Sequence, residues 1–168
     1  MNCFTKLLVT GLIGLSLTSC TNHKELKHYP ISNMNDLIDA EGLVLDNKVS
    51  SDGNGALHIT ADTSKAFKLY ETGDIDLENS IVTYQAYVKT KDIKGKVYIE
   101  MFCHFNGKGE FFSRSLNNTL SGTEDWTLLK TPFFLKKGEN PDNIKLNLVV
   151  EGSGQLWVDD IRLTSQDL

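Results

Sequence analysis

From Gly55 onward, apolar and polar residues alternate in short runs broken by turn-forming clusters, and no ten-residue stretch carries a clear helical period. The alternation predicts strands over Ala56–Ala61, Ala66–Glu71, Ile81–Thr90, Gly95–Phe105, Glu110–Ser115, Trp126–Phe133, Ile144–Glu151 and Gln155–Leu163. Between them lie Asp52-Gly53-Asn54-Gly55, Asn106-Gly107-Lys108-Gly109, Gly138-Glu139-Asn140-Pro141-Asp142 and Gly152-Ser153-Gly154, all rich in residues that tolerate positive φ or set turns. Only Asn35 to Ala40 hints at a short helical turn. The chain therefore reads as all-β, and eight such strands suit a sandwich of two antiparallel sheets.

The first residues break this pattern. Lys6 precedes an apolar run from Leu7 to Leu17, too short to cross a bilayer but of the length of a secretory signal. It ends in Leu17-Thr18-Ser19-Cys20, which resembles the bacterial lipobox, so residues 1–19 are expected to be cleaved and Cys20 to be acylated, for example by palmitate. Each buried methylene contributes about 0.8 kcal/mol, so two or more chains anchor a protein stably. The expected location is the exported side of the bacterial cell envelope, with the chain held at the membrane by lipid. Residues 20–31 are polar and read as a tether in which His23 and His28 are solvated, and residues 32–168 read as one domain.

Composition adds little but excludes much. With 168 residues, 40% hydrophobic and 23% charged, the chain can bury an ordinary core without staples. Cys3 leaves with the leader and Cys20 is consumed by lipid. Cys103 is then alone, in a row with Val97, Ile99, Met101 and Phe105 that reads as core. The formal charge of −5 and the absence of a Lys/Arg stripe argue against nucleic acid. No Gly-x-Ser-x-Gly elbow, His-Glu-x-x-His pair or phosphate loop is present. Glu100 and His104 stand about 13 Å apart along a strand, too far to couple directly. No catalytic residues are assigned, and the protein is expected not to be an enzyme.

Four segments carry a resemblance across most of the domain: residues 52–59 (Asp-Gly-Asn-Gly-Ala-Leu-His-Ile), 84–90 (Tyr-Gln-Ala-Tyr-Val-Lys-Thr), 122–127 (Gly-Thr-Glu-Asp-Trp-Thr) and 154–163 (Gly-Gln-Leu-Trp-Val-Asp-Asp-Ile-Arg-Leu). Together they resemble the jelly-roll domains of the carbohydrate-binding-module and galactose-binding-like superfamily; residues 98–105 and 107–114 also resemble an uncharacterised bacterial group. The resemblance implies a jelly-roll β-sandwich. It also implies a structural Ca²⁺ near the chain ends, with Asp160, or less favourably Asp159, joined by Asp46, Asp52 and carbonyls around Asn54 as hard oxygen ligands. A turn at 52–55 and ordinary capping by the aspartates explain the same residues without a metal.

Period-two geometry supplies the candidate surface. With Val97, Ile99, Met101, Cys103 and Phe105 inward, Tyr98, Glu100, Phe102 and His104 share the other side, where rings and polar groups suit saccharide recognition. Gln85, Tyr87 and Lys89 are expected beside them, with Lys145, Asn147 and Glu151 as further neighbours. An amphipathic face serving packing alone, or one covered by residues 110–118, is the competing expectation. The functional expectation is a non-catalytic envelope module for glycans, with a structural or protein-binding lipoprotein as the alternative.

Overall fold

The computed structural model describes residues 23–73 and 75–168. The leader over residues 1–19 and the acylation site Cys20 lie outside the described residues. The strands are β1 (His23–Tyr29), β2 (Leu43–Asp46), β3 (Ala56–Ala61), β4 (Lys65–Gly73), β5 (Ser80–Phe105), β6 (Gly109–Arg114), β7 (Leu120–Leu135) and β8 (Asn143–Asp167). All pairings are antiparallel.

The architecture is one long ribbon folded over. Strands β5 and β8 stay paired from Ser80↔Asp167 to His104↔Asn143, and each runs through both layers. Sheet I has the order β4, first part of β8, last part of β5, β6. Sheet II has β7, first part of β5 and last part of β8, with β1 and the β2–β3 pair continuing along the far side of β8. The sequence divides each long strand in two, at 90–95 and 151–155; the structure keeps each as one, because the backbone creases without losing its partner.

Glycine permits the crease. Gly95 (φ 119°) and Gly152 (φ 126°) face each other across the ribbon. A Cβ on Gly95 would sit 1.9 Å from the Glu151 carbonyl oxygen, and one on Gly152 would sit 1.7 Å from that of Lys94. Only a residue without a side chain allows this approach at positive φ.

Folding the ribbon brings two apolar rows together. Val82, Tyr84, Ala86 and Val88 come from the first half of β5 and Val97, Ile99, Met101, Cys103 and Phe105 from the second; all are buried in one core with Leu146, Leu148, Leu156, Val158, Ile161 and Leu163. Cys103 is buried, and desolvation pushes its thiol up to about 12.

Two expectations need correction here. Residues 23–29 are not a free tether: they form edge strand β1 on β8, with Arg162 donating to Glu25 (2.6 Å), His28 Nε2 against Asp160 (2.7 Å) and Tyr29 stacked on Tyr70 at 3.9 Å. Its charged, exposed side chains hide it from a hydrophobic-pattern search, yet charge is how exposed edges resist further pairing. Residues 35–40 form turns and bends without a helix; Asp36 has φ 65°, outside the right-handed helical region.

Candidate functional site

The outer side of sheet I is set by the hairpin from β5 to β6. Its turn at residues 106–108 fixes the pairs His104↔Glu110, Phe102↔Phe112 and Glu100↔Arg114, and β8 adds Tyr98↔Val149, Glu100↔Asn147 and Phe102↔Lys145. Directly opposed residues share a side, so these groups form one surface. Phe112 is 56% exposed and lies tilted against half-buried Phe102 at 5.9 Å between centroids. The Arg114 guanidinium carbon sits 4.3 Å from the centre of the Phe112 ring, a cation–π contact.

Beneath the rings is a polar layer. Glu100 is only 4% exposed, takes a charge-assisted hydrogen bond from Arg114 Nε and a weaker one from Asn147 Nδ2 at 3.3 Å. That carboxylate holds the Arg114 guanidinium above its usual pKa. Tyr98, also 4% exposed, donates its hydroxyl to Glu151 (2.9 Å), and Lys96 pairs with the same carboxylate at 3.1 Å. The Lys96 ammonium first, and the Tyr98 hydroxyl second, hold Glu151 below the ordinary carboxylate range. Asn147 Oδ1 is buried without a partner. At the rim, Lys145 bonds Glu110 (2.6 Å) and His104 Nδ1 meets Asp142 (2.7 Å).

The alternation therefore grouped Tyr98, Glu100, Phe102 and His104 correctly on one side, but the first two are buried rather than exposed. Arg114 and Lys96 cover them. Lys145, Asn147 and Glu151 join the group as expected. Gln85 and Tyr87 do not: they lie half-buried on the outer side of sheet II, because the crease at 91–96 turns the first half of β5 onto the opposite face of the sandwich. Phe112 and Arg114 were missed as members of this surface. The Asn106–Gly109 turn signal, read together with the alternation in residues 110–115, contained the register that places them.

The carboxylates proposed for calcium do not converge on one site; only Asp52 and Asp159 meet, through the Ser50 hydroxyl. Asp46 accepts hydrogen bonds from the backbone of Lys48 and Val49 and from the Trp157 indole (3.0 Å), which hold it below the ordinary carboxylate range, the Lys48 amide contributing most. Asp52 binds Asn54 and Ser50 inside its own turn. Asp160 is engaged by His28 and Arg162. Buried Asp159 ties the turn down instead, accepting from the backbone and hydroxyl of Ser51 (both 2.7 Å) and from Ser50. Among the described residues no three acidic, histidine or cysteine groups are placed to hold a metal, so this donor set does not fit Ca²⁺.

No family model matches the sequence, and no curated protein is significantly similar to it. Solved structures do match the fold. The CBM22-1 xylan-binding domain from Paenibacillus barcinonensis Xyn10C aligns with TM-score 0.64 at 12% identity, over 89% of this chain and 99% of that one. The CBM22-1–GH10 modules of Clostridium thermocellum endo-1,4-β-D-xylanase 10B, complexed with xylohexaose, align with TM-score 0.63 at 12% identity, over 84% of this chain. The match spans only 28% of that longer chain. A Family 16 Carbohydrate Binding Module-2 aligns with TM-score 0.52 at 14% identity, over 73% of this chain and 84% of that one. The fold is thus a β-sandwich of the carbohydrate-binding-module type.

Proposed function

We propose that the chain is a lipid-anchored, non-catalytic module of the bacterial envelope that binds a glycan on the outer side of sheet I. The observation carrying this reading is the Phe102–Phe112 pair: a partly exposed aromatic pair with the Arg114 guanidinium over one ring, on a fold that also occurs in sugar-binding modules. Pyranose C–H faces stack on rings, while charged rim groups exchange hydrogen bonds with hydroxyls. Arg114 is the first rim donor, with Lys145, Glu110 and His104 on the far side of the rings. Glu100 and Tyr98 act from below, Glu100 orienting Arg114 and Tyr98 orienting Glu151. Two of the three structures named above are xylan-binding or contain xylohexaose, which makes β-1,4-linked pentose chains the first ligands to try. The anchor rests on the lipobox at 17–20.

The test is a glycan array followed by titration with xylohexaose and with any array ligand. Phe112→Ala is expected to weaken binding by about 1–3 kcal/mol, the scale of a lost interface aromatic. An array without a ligand for the unaltered protein would remove the glycan reading and leave a protein-binding or structural envelope role.

A further inference from the structure

The strand register places the start of β1 beside an unusual end of the sandwich. In sheet II one row runs His23, Gln166, Ile81, Phe134. Phe134 is therefore three strand spacings, about 14 Å, from the first residue of β1. At the same end the 106–108 turn and the 136–142 loop close the molecule; the Asp142 amide ties the loop to the His104 carbonyl at the end of β5 (3.0 Å), and the Asn79 amide, just before β5, ties to the Lys136 carbonyl (3.3 Å).

An open cleft of about 260 Å³ lies there, between the β6 and β7 edges. Phe105, Phe111, Phe133 and Phe134 line it and Lys108 and Lys136 flank it. Phe111 is 49% and Phe134 60% exposed. Among the described residues, Lys108, Lys136 and neighbouring Lys137 take part in no ion pair. Glu139 also reaches the cleft, but its carboxylate is turned back to accept the Lys136 amide at 2.9 Å. The other acidic groups of this end are likewise engaged or set aside: Glu78 accepts the Gly138 amide, Asp76 the Asn140 side-chain amide (3.0 Å), Asp142 meets His104, and Asp167 lies near Lys24 on the β1–β8 side.

We infer that this end is a membrane-contact surface: the Phe111–Phe134 cleft rests in the headgroup region and the three lysines meet anionic lipid phosphates. The inference rests on the lipid anchor proposed above. Cys20 precedes His23 by three residues, a reach of at most about 10 Å, so an acylated Cys20 holds this end, and not the opposite crease, against the bilayer. Apolar rings with flanking lysines are the composition that interfacial contact favours, the lysines drawn to an anionic surface. The glycan platform on sheet I then stands roughly along the membrane normal and stays open to a ligand.

The test uses the full-length, membrane-reconstituted protein in vesicles of phosphatidylethanolamine and phosphatidylglycerol. A fluorophore is attached to Asn106→Cys at this end or to Lys94→Cys at the crease; Cys103 is buried and stays unlabelled. A lipid-borne quencher is expected to quench the probe at 106 about three-fold or more above that at 94. In Phe111→Ser/Phe134→Ser the difference is expected to shrink. Palmitate incorporation at Cys20 is read on the same preparation. Acylated protein with equal quenching at both positions overturns the contact and leaves the anchor intact. Absence of acylation overturns both, and relief of quenching at 106 by a soluble saccharide identifies the cleft as a sugar site instead.

Discussion

The two outer faces of the sandwich use aromatic residues in opposite ways. On sheet II, Trp157 is stacked on His58 at 4.6 Å, donates its indole N–H to Asp46 and is 9% exposed. On sheet I, Phe112 has no polar atom to satisfy, lies tilted against Phe102 with the Arg114 guanidinium over its ring, and is still 56% exposed. A ring with a polar handle is recruited into the scaffold when a neighbour takes that handle; a ring without one, left exposed on a surface, remains available to a ligand. The same aromatic content therefore stiffens one face and equips the other.

The most disruptive way to break the contrast is to remove the crease that separates the faces. Gly152→Ala places a Cβ against the Lys94 carbonyl and is expected to cost about 4 kcal/mol or more, read as loss of the cooperative unfolding transition or a steep fall in its midpoint. A milder change sharpens the comparison. Trp157→Ala is expected to lower stability by about 3 kcal/mol in urea denaturation without altering glycan affinity, the reverse of Phe112→Ala, which should spare the melting temperature. Equal effects of the two on both measurements would erase the distinction between a structural and a ligand-facing ring.

The smallest effect is on acid stability, and both faces contribute. Asp46 on sheet II and Glu151 on sheet I are held below their ordinary values of 3.8 and 4.5 by the hydrogen bonds described above. Because the folded values are depressed, their contribution is fully present above those ordinary values and is lost as pH falls through the lower folded ones. Urea midpoints of the unaltered protein should therefore drop between roughly pH 5 and pH 3. Asp46→Asn/Glu151→Gln should drop less, and an unchanged slope would show that neither group carries the acid sensitivity.

What could be read beforehand followed from local rules. Period-two alternation located most strand segments and assigned Cys103 to the core, since its neighbours at two-residue steps are apolar throughout. Within the unbroken second half of β5 it also grouped Tyr98, Glu100, Phe102 and His104. Exposure was not readable, because it depends on long side chains from other strands: Arg114 pairs with Glu100, and Lys96 lies over Tyr98 at 5.7 Å. Polar strand β1 escaped because backbone pairing, the Glu25–Arg162 ion pair and the His28–Asp160 hydrogen bond, rather than an apolar stripe, hold it in place.

By itself, then, the amino-acid sequence determined the all-β class, the apolar rows and the turn that registers β6 on β5, each a matter of neighbours a few residues apart. Only the tertiary structure decided which side of the sandwich each row's polar partners occupy. Alternation carries orientation along an unbroken strand, but at Gly95 and Gly152 the ribbon folds back on itself, and past that crease Gln85 and Tyr87 look away from Tyr98 and Phe102 although one strand contains them all.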